Sequence, residues 1–154
     1  MLRHESMLRE AVRLALDNRA AGGRPFGAVL AIDGEVVAVG VNDIVRSHDP
    51  TAHAEMAAVR RASHRLRRPE LNGAIMYASG HPCPMCLAAM VIAGVKEVYY
   101  AFDNDDAAPY GYSSDATYRK LGISLEPPPL PLTRLDVGVS ASELYGPRNK
   151  GQKA

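Results

Sequence analysis

Cysteine is scarce in this chain, two among 154 residues, Cys83 and Cys86. A disulfide-dense secreted scaffold is thereby excluded, and a pair separated by two residues reads first as a metal or redox motif in a reducing compartment. An excess of either charge is also missing. Lys and Arg total 18 against 17 Asp and Glu, a formal net charge of +1, so the composition exerts no global pull toward nucleic acid or an anionic membrane. No apolar run approaches the ~20 residues a spanning helix needs. Residues 1–21 interleave Arg3, Glu5, Arg9, Glu10, Arg13 and Asp17 with apolar side chains, which leaves no signal-peptide core. Together these absences predict a cytoplasmic protein with no membrane partner. Internal repeats are absent as well, and the one biased stretch, Pro127-Pro128-Pro129-Leu130-Pro131, reads as a rigid extended connector.

What is present is the composition of a folded domain. Hydrophobic residues at 47% and charged residues at 23% are near the soluble globular average, and the length suits one domain over residues 1–154 with a sizeable core. Met7, Leu8, Ala11, Val12, Leu14 and Ala15 recur near helical spacing and predict a first helix that stops at Gly22-Gly23. Residues 27–32 and 35–41 are Val/Ile/Ala-rich runs flanking Asp33-Gly34, the dipeptide of a tight hairpin. Thr51 opens a predicted helix that runs to residue 66, ahead of Pro69. Residues 73–79 and 96–102 read as strands, and residues 84–93 between them as a short, almost wholly apolar helix. Such a helix must be buried against the sheet or a second subunit. Beyond Asn104 the pattern predicts a helix over 114–121 and a last strand near 133–137. Alternating strands and helices predict a layered α/β domain, with parallel pairing where a helix joins consecutive strands.

Chemistry concentrates in two short motifs, His53-Ala54-Glu55 and Pro82-Cys83-Pro84-Met85-Cys86, each at the start of a predicted helix. His53, Cys83 and Cys86 can bind zinc. A structural zinc site closes with four protein ligands, whereas a catalytic one uses three and keeps a position for water; with no further cysteine, the count favours catalysis. Cys83 and Cys86 share a face in the first turn of a helix, where unpaired N–H groups and the positive dipole end favour thiolates. Residues two apart on a regular helix diverge. His53 and Glu55 therefore reach one pocket only if His53 sits at the extreme start of its helix, where the Pro50-Thr51 entry distorts the backbone. Taken singly, a His is an ordinary polar residue, and Cys-x-x-Cys is a thioredoxin-like redox pair or half of a structural zinc site. The redox reading lacks the usual aromatic and Gly-Pro context and leaves His-Ala-Glu unexplained. The combined pattern matches zinc deaminases, in which water replaces an amino group on a ring carbon and a Glu that is not a ligand moves the protons. Glu55 is the matching residue.

The segments Asp49-Pro50-Thr51-Ala52-His53-Ala54-Glu55, Pro82-Cys83-Pro84-Met85-Cys86-Leu87, Pro25-Phe26-Gly27-Ala28-Val29 and Asn42-Asp43 resemble the cytidine deaminase superfamily over roughly residues 7–121. They point to its bacterial guanine deaminase-like and tRNA adenosine deaminase branches. Val98-Tyr99-Tyr100-Ala101, Asp106-Ala107-Ala108, Gly111-Tyr112 and Tyr118 look most like the first branch. The resemblance implies a three-layer α/β/α sandwich around a central mixed five-stranded sheet, one Zn2+ per subunit on His53, Cys83 and Cys86, and Glu55 as the catalytic residue. It implies hydrolytic release of ammonia from guanine or a guanine-like purine, with tRNA adenosine or cytosine as the alternative substrate. It further implies a homodimer whose C-terminal segment, about residues 127–154 and including Tyr145, packs on the partner. In the implied pocket Asn42 hydrogen-bonds the base, Phe26 packs against it, backbone amides at Ala54 and Cys83 line the wall, and Tyr112, Ser114 and Asp115 complete it. The family usually has two aspartates where Ser113-Ser114 stands here, and commonly a Glu at the position of His81. A carboxylate there accepts from the ring N–H and amino group of guanine, and a hydroxyl is a weaker, uncharged substitute.

Residues 60–68 contain Arg60, Arg61, Arg65, Arg67 and Arg68. This run suits tRNA phosphates, but a solvated helix end whose cations complement the dipole is the preferred reading. Asp103, Asp105 and Asp106 would repel a phosphate backbone if they border the pocket, so a small nucleobase is expected rather than a nucleic acid. Tyr110, Tyr112 and Tyr118 either stack on a heterocycle or pack in the core, with Tyr112 the better placed to stack.

Overall fold

Asp33 and Gly34 both take positive φ, 51° and 78°, the backbone of a turn whose twist matches that of its flanking strands. The turn folds β1 (Gly27–Ile32) antiparallel onto β2 (Glu35–Val41). β1 pairs antiparallel on its other side with β3 (Ile75–Gly80), which continues in parallel to β4 (Glu97–Phe102) and β5 (Leu132–Arg134). The sheet order is therefore β2-β1-β3-β4-β5. These coordinates are a computed structural model that describes residues 2–147.

Strand alternation sorts the core into two layers. Val29, Ala31 and Tyr77 meet Leu8, Ala11, Val12 and Ala15 of α1 (Leu2–Ala20) on one face. Ala28, Leu30, Met76 and Ala78 meet Ala54 and Ala58 of α3 (Ala54–Leu66) and Leu87 and Met90 of α4 (Pro84–Ala93) on the other. Both faces of β1 are thus covered, which gives the expected three-layer sandwich. The β3-α4-β4 crossover is parallel, as the alternation predicts.

Several local expectations need correction. The second long helix begins at Ala54 and not at Thr51, because the Thr51 N–H and hydroxyl both donate to Asp49 Oδ1, at 2.8 and 2.7 Å, and hold Thr51 in a turn. α2 (Ile44–Ser47), α5 (Asn104–Ala107) with the 3-10 turn after it, and α7 (Ala141–Tyr145) are too short to show periodicity. α5 and α7 instead stand on capping boxes, Asp103 with Asp106 and Ser140 with Glu143. α6 (Asp115–Leu121) follows its predicted range, with Ser114 as N-cap. The described part of the C-terminal segment also makes contacts within the chain. β5 pairs with β4, and the Arg19 guanidinium donates to the carbonyls of Glu143, Leu144 and Gly146 at the end of α7. Residues 148–154, the rest of the segment expected to reach a partner, lie outside the described residues.

The basic run has a structural use. β2 is an edge strand, and Arg61 and Arg65 donate to its Val39 and Val37 carbonyls at 2.9 and 2.7 Å. Satisfied edge carbonyls are poor templates for a foreign strand.

α3 lies so close to β2 that a Cβ at Gly40 would sit 2.2 Å from the Ala54 carbonyl oxygen and 2.8 Å from the Ala58 nitrogen. Glycine is the only residue that leaves this helix start where it is. Gly40→Ala is expected to destabilise the zinc-loaded protein by about 1–3 kcal/mol in urea denaturation. An unchanged midpoint would contradict the seating of α3 by this approach.

Candidate active site

His53 is the N-cap of α3, with extended backbone at φ −77° and ψ 156°, and Glu55 lies in the first turn. The cap residue leaves helical geometry, so two side chains that would diverge on a regular helix turn toward one site, as the motif spacing requires. Cys83 occupies the same position on α4, with φ −72° and ψ 167°, Pro84 following at the first helical position. Its Sγ accepts from the Cys86 N–H at 3.5 Å. His53 Nδ1 is 3.4 Å from Cys83 Sγ and 3.5 Å from Cys86 Sγ, and the three donor atoms all lie within 4.8 Å of one another. Zn–S bonds of about 2.3 Å and a Zn–N bond of about 2.0–2.1 Å in a tetrahedron put sulfur and nitrogen roughly 3.6 Å apart. The donor set fits zinc in identity and in spacing, and zinc is the cofactor of this site.

Glu55 is 8% exposed beside this group. Burial, reinforced by the negative Cys83, pushes its carboxyl up to about 7, where a group both takes and gives a proton at neutral pH. Hydrogen bonds from Cys86 and His53 hold the Cys83 thiol down at about 4, while Cys86 is pushed up by its bond to Cys83 and by burial. His53 is raised, chiefly by the same contact with Cys83. A divalent cation that binds here displaces the protons these groups share and takes both sulfurs as thiolates.

A cavity of about 620 Å³ opens over these residues. His53, Glu55 and Cys83 line it, together with Phe26, Asn42, Tyr112 and Ser114 of the sequence-predicted pocket. Asn42 is buried, and its Oδ1 accepts from the Ile44 N–H at 3.0 Å, so its NH2 is the group left to donate. Ser114 donates from its hydroxyl to Asn104 Oδ1 at 3.2 Å, which leaves its oxygen lone pairs as acceptors. Phe26 and Tyr112 meet edge to face with centroids 5.4 Å apart. Ala54 and Asp115 are not part of the wall. Ala54, the first residue of α3, is fully buried in the core, and Asp115 begins α6 with its N–H on Ser113 Oγ.

Other expectations resolve in the same region. His81 lines the cavity, its Nδ1 2.9 Å from the Pro82 carbonyl, and burial lowers its pKa. Tyr118 is buried beneath it and donates to the same carbonyl. Tyr110 packs on Tyr145, whose ring also backs Phe26 and Tyr112 and whose buried hydroxyl has no partner among the described residues. Asp103 and Asp106 do not border the cavity, for both are turned to Arg134. Arg24 and Thr117 line it without having been singled out. Neither belongs to a motif, and only the folded chain brings them to the wall.

The family described as the cytidine and deoxycytidylate deaminase zinc-binding region matches residues 1–102. The chain is 39% identical over 153 residues to a guanine deaminase of Bacillus subtilis (strain 168), covering 99% of this chain and 98% of that protein. It is 43% identical over 93 residues to a tRNA-specific adenosine deaminase of Agrobacterium fabrum, covering 58% and 61% respectively. The X-ray structure of guanine deaminase from Bacillus subtilis matches with a TM-score of 0.75 at 40% identity, over 88% of this chain and 87% of that one. Among the described residues no helix is long and apolar enough to cross a membrane. With both zinc-site motifs inside the matched region and their donors converged in space, the chain belongs to the cytidine and deoxycytidylate deaminase family.

Proposed function

We propose that this protein is a hydrolytic deaminase that releases ammonia from guanine or a guanine-like purine, with Glu55 as its proton relay. The observation that carries the reading is a buried carboxyl beside a three-donor metal group, in a cavity walled by an amide and two aromatic rings. Similarity to a guanine deaminase over nearly the whole chain, against 58% of it for the tRNA-specific relative, favours a free purine over tRNA. The engagement of Arg61 and Arg65 with the sheet edge agrees.

His53, Cys83 and Cys86 would hold zinc, which when bound supplies the Lewis acidity that makes a nucleophile available from water near neutral pH. In the net reaction the oxygen of water bonds to the ring carbon, the bond from that carbon to the amino nitrogen breaks, and ammonia leaves. Two protons must travel. Glu55 collects a proton from the attacking water, gives it to the ring nitrogen, and then passes a second to the departing amine. The Asn42 NH2 donates to an acceptor on the purine, and Ser114 Oγ accepts from a ring or amino N–H. Phe26 and Tyr112 supply apolar surface to the ring.

The outward face of α4 supports a homodimer. Ile92 is 86% exposed and Val91 46%. A patch of this kind on a small domain suits a second copy of the chain. Two ligand cysteines that must stay reduced and unbridged suit a reducing, cytoplasmic setting.

Glu55→Gln is expected to keep one zinc per chain by elemental analysis and to lower kcat about 10²–10⁴-fold in an ammonia-release assay. Full activity in this variant would remove Glu55 from the mechanism. Ser114→Ala is expected to lower kcat/KM on guanine roughly three- to tenfold with zinc content intact; an unaffected kcat/KM would separate Ser114 from the base.

A further inference from the structure

His81 lines the cavity, and the chemistry above leaves it without a task. It is nevertheless held from several directions. Its backbone N–H bonds the Phe102 carbonyl at 2.8 Å, and the rings of Tyr100 and Tyr118 meet its imidazole edge to face at centroid distances of 5.0 and 5.8 Å. Nδ1 lies 2.9 Å from the Pro82 carbonyl, which also receives the Tyr118 hydroxyl at 2.5 Å. A ring held in this way offers its remaining nitrogen in one place and loses little freedom when a ligand arrives.

The bond to Pro82 also decides the tautomer. A carbonyl oxygen only accepts, so Nδ1 carries the proton and Nε2 keeps its lone pair. Among the described residues Nε2 has no hydrogen-bond partner, and Tyr145 Oη is the only side-chain nitrogen or oxygen that is both closed off from solvent and unpartnered. Nε2 therefore reaches open space, and the open space that His81 borders is the cavity. Other acceptors of the wall are already committed. Asn42 Oδ1 takes the Ile44 N–H at 3.0 Å, Ser113 Oγ takes the Asp115 N–H at 3.2 Å, and Glu55 is given to moving protons. In guanine the carbon that loses its amino group lies between N3, the ring nitrogen free to take a proton from Glu55, and N1, which carries a hydrogen. His81 stands two residues ahead of the ligand Cys83, so the ring N–H within its reach is the one beside the reacting carbon.

We propose that His81 Nε2 accepts a hydrogen bond from N1–H of the purine, which makes His81 a specificity-determining residue that selects bases protonated at that nitrogen. This inference rests on the purine-deaminase reading and narrows its substrate to 6-oxopurines. A base with a bare N1 sets two lone pairs against each other, whereas guanine sets a donor against an acceptor. The N–H of guanine's other ring remains for Ser114 Oγ, so the two acceptors do not compete.

The test compares guanine with 2-aminopurine, which carries the same leaving group but no hydrogen on N1. Zinc-loaded protein is used at about pH 8, where an imidazole is neutral. Ammonia release gives kcat/KM, and the fluorescence of 2-aminopurine reports its binding to the Glu55→Gln protein and its displacement by guanine. His81→Phe keeps a ring between Tyr100 and Tyr118 and removes the acceptor. It is expected to lower kcat/KM for guanine about tenfold, mostly through KM, and to weaken guanine binding in the Glu55→Gln background by a similar factor. 2-Aminopurine is expected to be used and bound as well as before, or better. His81→Gln supplies a carbonyl oxygen in place of Nε2 and is expected to recover most of the loss on guanine, with zinc content intact in both variants. Equal losses on the two bases, no loss on guanine, or a Gln variant as impaired as the Phe variant would overturn the inference while leaving purine deamination intact. His81-dependent binding of guanine with no turnover of either base would uphold the hydrogen bond and overturn the purine-deaminase reading.

Discussion

Two helices begin at the same place, and the site exists because of it. α3 and α4 each open on a cap residue with extended backbone, His53 and Cys83, and those caps face one another. A cap residue is the one position at a helix end whose side chain is freed from helical direction while its backbone is still held by the helix. Nitrogen and sulfur therefore meet at contact distance, although 30 residues separate them in sequence. The sheet enforces the meeting: the bare backbone of Gly40 lets α3 settle onto β2, and the parallel β3-α4-β4 crossover brings the start of α4 to the end of β3.

Burial then turns that geometry into chemistry. The same packing that covers Ala54 and Ala58 removes Glu55 from water and makes its charged form costly, so its carboxyl sits near neutrality as a proton carrier. The thiols respond in the opposite sense as a pair, Cys83 giving up its proton easily and Cys86 retaining one. A cation with two sulfurs, one imidazole and a remaining position suits hydrolytic chemistry better than closed structural binding.

Much of this arrangement was legible before any coordinates. His53-Ala54-Glu55 could serve one pocket only from a helix start, and the cap geometry bears that out because backbone direction at a cap is a local matter. The hairpin at Asp33-Gly34 and the five strands followed from turn chemistry and apolar runs that act over a few residues. What was illegible depends on distant partners. Thr51 has the residue type of a helix start, yet Asp49 captures it in a turn. α5 is only four residues long, and Asp103 and Asp106 spend their charge on Arg134, a residue of β5. Arg24 carries no motif, and its place on the cavity wall comes from Asn18, while His81 was marked by its position before the Cys motif and only the end of β3 turns it to the cavity.

X-ray absorption at the zinc edge of the zinc-loaded protein tests the central claim most directly, since it counts donors by element without reference to turnover. The account predicts two sulfurs at about 2.3 Å and two light atoms at about 2.0–2.1 Å, with the scattering of a single imidazole. A shell with any other number of sulfurs, or with more than one imidazole, would contradict it.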